Sequence, residues 1–533
     1  MQRRVVELRL GRHGPGGPGA RRPGRAGRNL RRADRGRTRR RRSGQHHHGA
    51  RPASAVHPGR ARARDRTRGR GRADAATAAG ARGGGTAHHS ALRRGERIVS
   101  TPDLPQFKVA VYQNEFLPEG AGEVNAIVTV TSSGAAGPSA ARAAQVIMVD
   151  CSGSMDYPST KMEAARQATN AAIDAIREGV PFAVVAGTHV GRMVFPSTEY
   201  LVAADASSRA AAKAAVSRLT PGGGTAISQW LALADRLFTG HEQAIRHAIL
   251  LTDGKDEHES PDDLGRAIAR CEGRFTCDCR GIGTDWVVAE LRRIAGGLLG
   301  TVDIVADPSG LAGDFRAMIE GAMGKAVADV RLRLWSPQGS TIKFVKQVAP
   351  SVVDLTGRRV QTGPLAGDYP TGAWGAESRD YHVCVAVRPG SVGDEMLAAR
   401  ASLVALDGSG QAQSLGQGLV RAVWTGDAAL STKMNRQVAH YTGQAELADA
   451  IQEGLEARKN GDYDTATARL GRAVQLAAAS GNEDTTRLLA RVVDVQDPVT
   501  GTVRLKARVS DADEMALDTR SSKTVRVGKG NQG

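Results

Sequence analysis

The chain has 533 residues and a formal net charge of +18, length enough for roughly two to four domains at ~150 residues each. The charge is unevenly placed: residues 1–100 hold 28 Arg, no Lys and five acids, +23 in all, so the remaining 433 carry −5. Five Cys in a chain of this length exclude a disulfide scaffold and point to a reducing compartment. No window reaches the ~18 apolar residues that span a bilayer. The first residues lack the apolar core of a secretory signal. A cytoplasmic location is expected.

Residues 1–98 are Arg, Gly, Ala, Pro and His with few branched or aromatic residues. Such a segment cannot bury enough surface to offset its ordering entropy. Two readings stand: a disordered basic arm that binds nucleic acid or an anionic surface, or GC-rich upstream sequence preceding a true start at Val99. Nucleic acid is expected as a partner only under the first. Phe107–Tyr112 alternates and Val124–Thr131 is rich in β-formers, with Pro118, Gly120 and Gly122 between. This predicts a hairpin, followed by a small-residue linker over Ser132–Ala144.

From 143 to 325 the pattern alternates strand and helix. Strands are predicted from Gln145 to Asp150, over Pro181–Ala186, Arg246–Thr252, Thr276–Gly281 and Thr301–Ala306, with Gly191–Phe195 as an antiparallel edge. Helices are predicted over Lys161–Glu178, Ser207–Leu219, Ala226–Phe238, from Ser260 to about Cys271, over Asp285–Ala295 and Ser309–Met323. Ser207 and Ser260 are capping candidates, and Pro261 suits a first helical turn. Repeated units of this kind predict an α/β, doubly wound, mostly parallel sheet.

Between 326 and 425 no helical period intervenes. Val327–Trp335, Thr341–Val348, Arg358–Gln361, Asp380–Val387 and Ala399–Leu406 are predicted strands of an all-β sandwich. The strands of 99–142 have no other partner, so they are expected to join it, with the α/β domain inserted between. Within 426–495, Gln444–Lys459 and Tyr463–Ala479 predict a helical hairpin. Gly461, Tyr463, Ala466, Leu470 and Ala473 resemble the turn and second helix of a tetratricopeptide (TPR-like) unit. Residues 496–533 read as a polar, mostly disordered tail.

Three loops carry the chemistry. Gln145–Met155 runs four apolar residues into Asp150-Cys151-Ser152-Gly153-Ser154, placing a carboxylate and two hydroxyls at a buried strand's carboxyl end, where open α/β sheets bind ligands. Gly222-Gly223-Gly224 precedes Thr225, and Leu250-Leu251-Thr252-Asp253-Gly254 ends another buried strand. Hard oxygens of this kind suit Mg2+. The set D-x-S-x-S, G-G-T, T-D-G over about 180 residues resembles a von Willebrand factor type A (VWA) domain with a metal-ion-dependent adhesion site. The resemblance implies Ser152, Ser154 and Thr225 as hydroxyl ligands, Asp150 and Asp253 as carboxylates acting directly or through water, and Mg2+ (or Mn2+) as the ion. It implies a partner protein presenting a carboxylate, in a bacterial regulatory assembly. Several members also carry the domain inserted in a β-sandwich. The alternative is a VWA subunit of a metal chelatase or AAA+ ATPase machine.

No enzyme is expected. There is no G-x-x-x-x-G-K-[ST], and His241, His247 and His258 fall in or near other elements. Asp150 and Asp253 as mere turn caps is the bland alternative. Cys271, Cys277 and Cys279 do not have a usual zinc spacing and read as buried thiols, while Cys151 is a candidate for oxidation. Asp256, Glu257 and Glu259 read as an acidic rim or a solvated loop. In the tail, Thr524 has Val527 three residues on, resembling a phosphothreonine context, so a Ser/Thr kinase or a forkhead-associated domain protein is a further candidate partner.

Overall fold

A computed structural model of the chain describes residues 105–134, 143–305, 307–406 and 411–527. The basic segment 1–98, most of the small-residue linker and residues 528–533 lie outside these.

The centre is the strand Ala143–Asp150, buried along its whole length. It pairs in parallel with Pro181–Gly187 on one side and Ile245–Thr252 on the other. The sheet continues outward from the latter through Thr276–Ile282 to Val302–Val305, all parallel. Beyond Pro181–Gly187 it turns antiparallel, through Gly191–Phe195 and the short Val202–Ala203. The chain thus winds one way from the central strand, then returns and winds the other. The reversal falls between Ala143–Asp150 and Ile245–Thr252, opening a crevice at their carboxyl ends.

Alternation along the central strand feeds two cores. Val146 and Met148 join Trp230, Leu264 and Leu291 from the helices Ile227–Leu237, Pro261–Cys271 and Val288–Gly297. Ile147 and Val149 join Ile173, Val216 and Phe315 from Thr160–Ala175, Ala206–Val216 and Leu311–Met323. Gly187 is glycine because Trp230 lies flat against it: a Cβ there would sit 2.3 Å from the indole.

The chain leaves a pair of other sheets at Ser133 and returns to them at Val327. One, in spatial order, is Gln106–Gln113, Glu123–Ser133, Ser378–Ala386, Thr341–Ala349 and Val353–Asp354. The other is Val360–Gly363, Ala366–Trp374, Val327–Trp335, Glu395–Leu406, Ala412–Thr425 and Phe116–Pro118. Val128, Val383, Leu332 and Leu403 from both sheets meet in one cluster. Four strands of these sheets were missed from sequence: the short Phe116–Pro118 and Val353–Asp354, and the long Ala366–Trp374 and Ala412–Thr425. The glycines of the long pair read as turn signals, but Gly416 and Gly418 face Val109 and Val111 at distances where a Cβ would lie 3.0 and 2.5 Å from the methyls. They mark close packing of another strand rather than a turn.

Helices Arg436–Lys459, Tyr463–Ser480 and Glu483–Val492 follow. The first begins eight residues before the predicted Gln444, where Asn435 accepts from the Gln437 and Val438 amides. The expected disordered tail is corrected through Val527. Val493–Asp497 pairs with Thr502–Leu505, and Asp511–Arg520 is a helix. Leu517 is fully buried in the core that holds Leu470 and Leu489. The tail looks polar because its charges are paired with the α/β domain: Arg520 and Lys523 bind Asp303 at 2.8 and 2.7 Å, and Asp518 receives Arg292 at 2.7 Å. Thr524 is likewise not on a free tail. Its hydroxyl donates to Val348 O at 2.7 Å and its amide to Pro350 O at 3.0 Å, so a phosphothreonine reader would have to lift the segment away. Among the described residues no helix is long and apolar enough to cross a membrane.

Candidate metal centre

Asp150 is fully buried where the central strand ends. Its Oδ1 accepts from the Ser152 amide at 2.7 Å, and its Oδ2 from the Thr252 hydroxyl at 2.5 Å. Burial is the main reason its carboxyl is pushed up to about 6, with those hydrogen bonds opposing and the Asp253 charge adding to the rise. The chain then enters the single turn Gly153–Asp156. That turn sets the Ser152 and Ser154 hydroxyls 2.9 Å apart and lets Ser154 donate to Asp253 Oδ1 at 2.7 Å.

The glycine loop is laced to this turn by backbone. The Gly222 amide donates to Cys151 O at 2.8 Å, and the Gly153 amide to Gly223 O at 2.9 Å. Gly223 has φ +86°, a conformation costly for any side chain with a Cβ. Thr225 is held by His258, whose Nδ1 receives the Thr225 amide at 3.2 Å and whose own amide donates to Thr225 O at 3.0 Å. Thr225 itself is buried.

All five predicted ligands are therefore brought together: Asp150, Ser152, Ser154, Thr225 and Asp253. Gly254 borders the space between two of them, since a Cβ there would lie 3.1 Å from Ser154 Oγ and 3.6 Å from Thr225 Oγ1. A donor set of oxygens alone, two carboxylates and three hydroxyls around a gap kept open by glycine, fits a hard divalent cation. Asp150 does also cap its own turn, but Asp253 receives a hydroxyl and an ammonium rather than backbone amides.

Sequence reasoning missed two participants. Thr252 anchors Asp150, and Lys161 reaches Asp253 Oδ2 at 2.7 Å and Asp285 Oδ2 at 3.2 Å. Burial works against the Lys161 charge, but the two carboxylates outweigh it and push the ammonium above its ordinary value. The available signal was position. Lys161 lies in the first turn of Thr160–Ala175, where a cation opposes the helix dipole and needs a reason to be there.

Other expectations are corrected. His258 is brought against the glycine loop, where its ring would overlap a Cβ on Gly224. Asp256 and Glu259 neither form the rim of the site nor stand in solvent. They cap the helix Ile227–Leu237, accepting from the Ile227 amide at 3.3 Å and the Ser228 amide at 2.8 Å. Burial, then the shared contact with Glu259, pushes the Asp256 carboxyl well above its ordinary value. Cys151 is buried, and that burial, with the Asp150 charge adding to it, pushes its thiol up to about 12, which disfavours the thiolate on which oxidation depends. Cys271, Cys277, Cys279 and Cys384 are buried free thiols too. Among the described residues no three His, Cys, Asp or Glu side chains are grouped to hold a metal, and the cluster just described holds two carboxylates beside its hydroxyls.

Residues 144–304 match the family model of the von Willebrand factor type A domain, and residues 475–521 that of the von Willebrand factor type A C-terminal domain. A solved von Willebrand factor type A structure from Catenulispora acidiphila is 57% identical with a TM-score of 0.77, covering 80% of this chain and 99% of its own. The ArnB paralog VWA2 from Sulfolobus acidocaldarius is 14% identical with a TM-score of 0.48, over 78% of this chain and 98% of its own. An uncharacterized protein of Synechocystis is 29% identical over 215 residues, 39% of this chain. The chain spans about half, 49%, of that curated relative's length.

Proposed function

Because the chain belongs to the von Willebrand factor type A family, whose domains serve as protein-interaction modules, we propose that it is a Mg2+-dependent binding scaffold whose metal-ion-dependent adhesion site grips an acidic side chain of a partner protein. The observation that carries this is the convergence of five oxygen donors, Asp150, Ser152, Ser154, Thr225 and Asp253, at the sheet's switch point. Domains of this family commonly hold a divalent metal. Mg2+ suits few protein ligands plus water, and Mn2+ would serve as a substitute. When bound, the ion supplies Lewis acidity toward an incoming carboxylate oxygen. The protein's own part is positional. Thr252 and the Ser152 amide orient Asp150, the lacing of Gly153 to Gly223 brings Thr225 to the serines, and Gly254 keeps the space open.

We read the two mostly antiparallel sheets as a sandwich carrying the domain, and the helices Arg436–Lys459 and Tyr463–Ser480 as a TPR-like platform for further contacts. The role is binding rather than catalysis, in a bacterial regulatory assembly. The test is a pull-down from native lysate with Mg2+ or EDTA, repeated for Asp150→Ala combined with Ser152→Ala. The expected result is a set of proteins lost on chelation and on mutation alike. A set unchanged by both refutes the metal bridge.

A further inference from the structure

Lys161 is built into the metal centre, although it donates no oxygen. Its side chain is buried, with its ammonium between Asp253 Oδ2 and Asp285 Oδ2 at 2.7 and 3.2 Å. Asp253 is fully buried, while the Asp285 side chain is 70% exposed. The stem runs beside Gly283, whose φ of +68° favours glycine and where a Cβ would lie in ordinary contact, 3.4 Å from Lys161 Cε. Asp253 in turn has Oδ2 on the ammonium and Oδ1 on the Ser154 hydroxyl, so both its oxygens are engaged from within the chain.

The charges decide what this does. Asp150, Asp253 and Lys161 sum to −1 in the buried centre, where without the lysine they would sum to −2. A divalent cation would thus bring the buried centre to +1 rather than to zero. Charges in a water-poor crevice are weakly screened, so one charge matters to a cation and to whatever anion follows it. We propose that Lys161 is the internal counter-charge of this centre: by neutralising Asp253 it weakens the hold on the divalent cation and leaves the loaded site net positive toward a partner's carboxylate. This rests on the metal reading above and adds to it a positioning residue that regulates affinity. If the lysine served only to tie the helix Thr160–Ala175 to the neighbouring loops, removing it would loosen Asp253 and weaken metal binding. The counter-charge role demands the opposite sign.

The experiment is titration of the full chain with Mn2+ alone, free ion being read by electron paramagnetic resonance, for wild type, Lys161→Met, Lys161→Gln, Lys161→Arg and the combined Asp150→Ala, Ser152→Ala variant. Lys161→Gln keeps a donor for Asp253 and covers the case in which Lys161→Met does not fold. A neighbouring unit charge shifts proton binding by about 10- to 1000-fold, so tightening of about tenfold or more is expected for the Met and Gln variants, with Lys161→Arg close to wild type. Wild-type binding that depends on Asp150 and Ser152, with no tightening in either neutral variant, overturns the counter-charge and leaves the metal site standing. Mn2+ bound by none of the proteins, or bound regardless of Asp150 and Ser152, overturns both.

Discussion

Gly254→Ala isolates the space between the ligating hydroxyls. The added methyl would stand 3.1 Å from Ser154 Oγ and 3.6 Å from Thr225 Oγ1, inside the gap a cation needs. The backbone at Gly254 is not in the left-handed region, so alanine brings no φ strain. The serine turn gives by a few tenths of an ångström, at a stability cost of about 1 kcal/mol, the low end for inserting a methyl into a packed site. Metal binding suffers more, because the donors are pushed apart and the gap is filled. Disturbing the surroundings of a metal ligand costs about 10- to 100-fold in affinity, and occupying the space itself should reach at least the upper figure. Mn2+ titration gives the affinity, and a thermal melt in EDTA shows that the fold is intact. A well-folded Gly254→Ala protein that binds Mn2+ as wild type does would refute the convergence of Ser154 and Thr225 on one ion.

Further outcomes follow from other parts of the structure. Burial, then the contact with Glu259, raises the Asp256 carboxyl above its ordinary value, so the folded state holds a proton there that the unfolded chain releases near pH 4. The contribution of this pair therefore declines as pH rises above that value, and Asp256→Asn should flatten that decline and raise the melting temperature at pH 8, as thermal melts at several pH values will show. Gly187→Ala would drive a methyl into Trp230, which is fully buried and donates to Thr188 O at 2.6 Å. A loss of about 1–3 kcal/mol is expected from urea denaturation. Asp303→Asn strips Arg520 and Lys523 of their shared carboxylate, and limited proteolysis should then cut residues 506–527 faster than in wild type. All five thiols are buried, so a thiol reagent should label none in the native protein and five in urea, Cys151 included.

The local signals sufficed where physics is local. Continuous apolar runs ending in Asp150 and in Thr252-Asp253, three glycines before Thr225, and Ser260-Pro261 at a helix start each name an element and its end. That is why the five oxygen donors and the order of strands and helices were legible. The alternation also predicts parallel strands joined by crossovers of one hand, but where the winding reverses is set by which strands pair, with Ala143–Asp150 lying between Pro181–Gly187 and Ile245–Thr252. What the linear pattern could not carry is partnership between distant segments. Gly416 and Gly418 look like turns until Val109 and Val111 are laid over them. The polar stretch 511–527 looks disordered until Asp303 and Arg292 are found opposite its charges. Asp256 and Glu259 look like surface acids until the amides of Ile227 and Ser228 arrive to be capped. Lys161 is the sharpest case. In the sequence it is one more lysine at a helix start, and only the folded sheet, by bringing Asp253 and Asp285 to it from 92 and 124 residues away, turns it into a charge inside the centre.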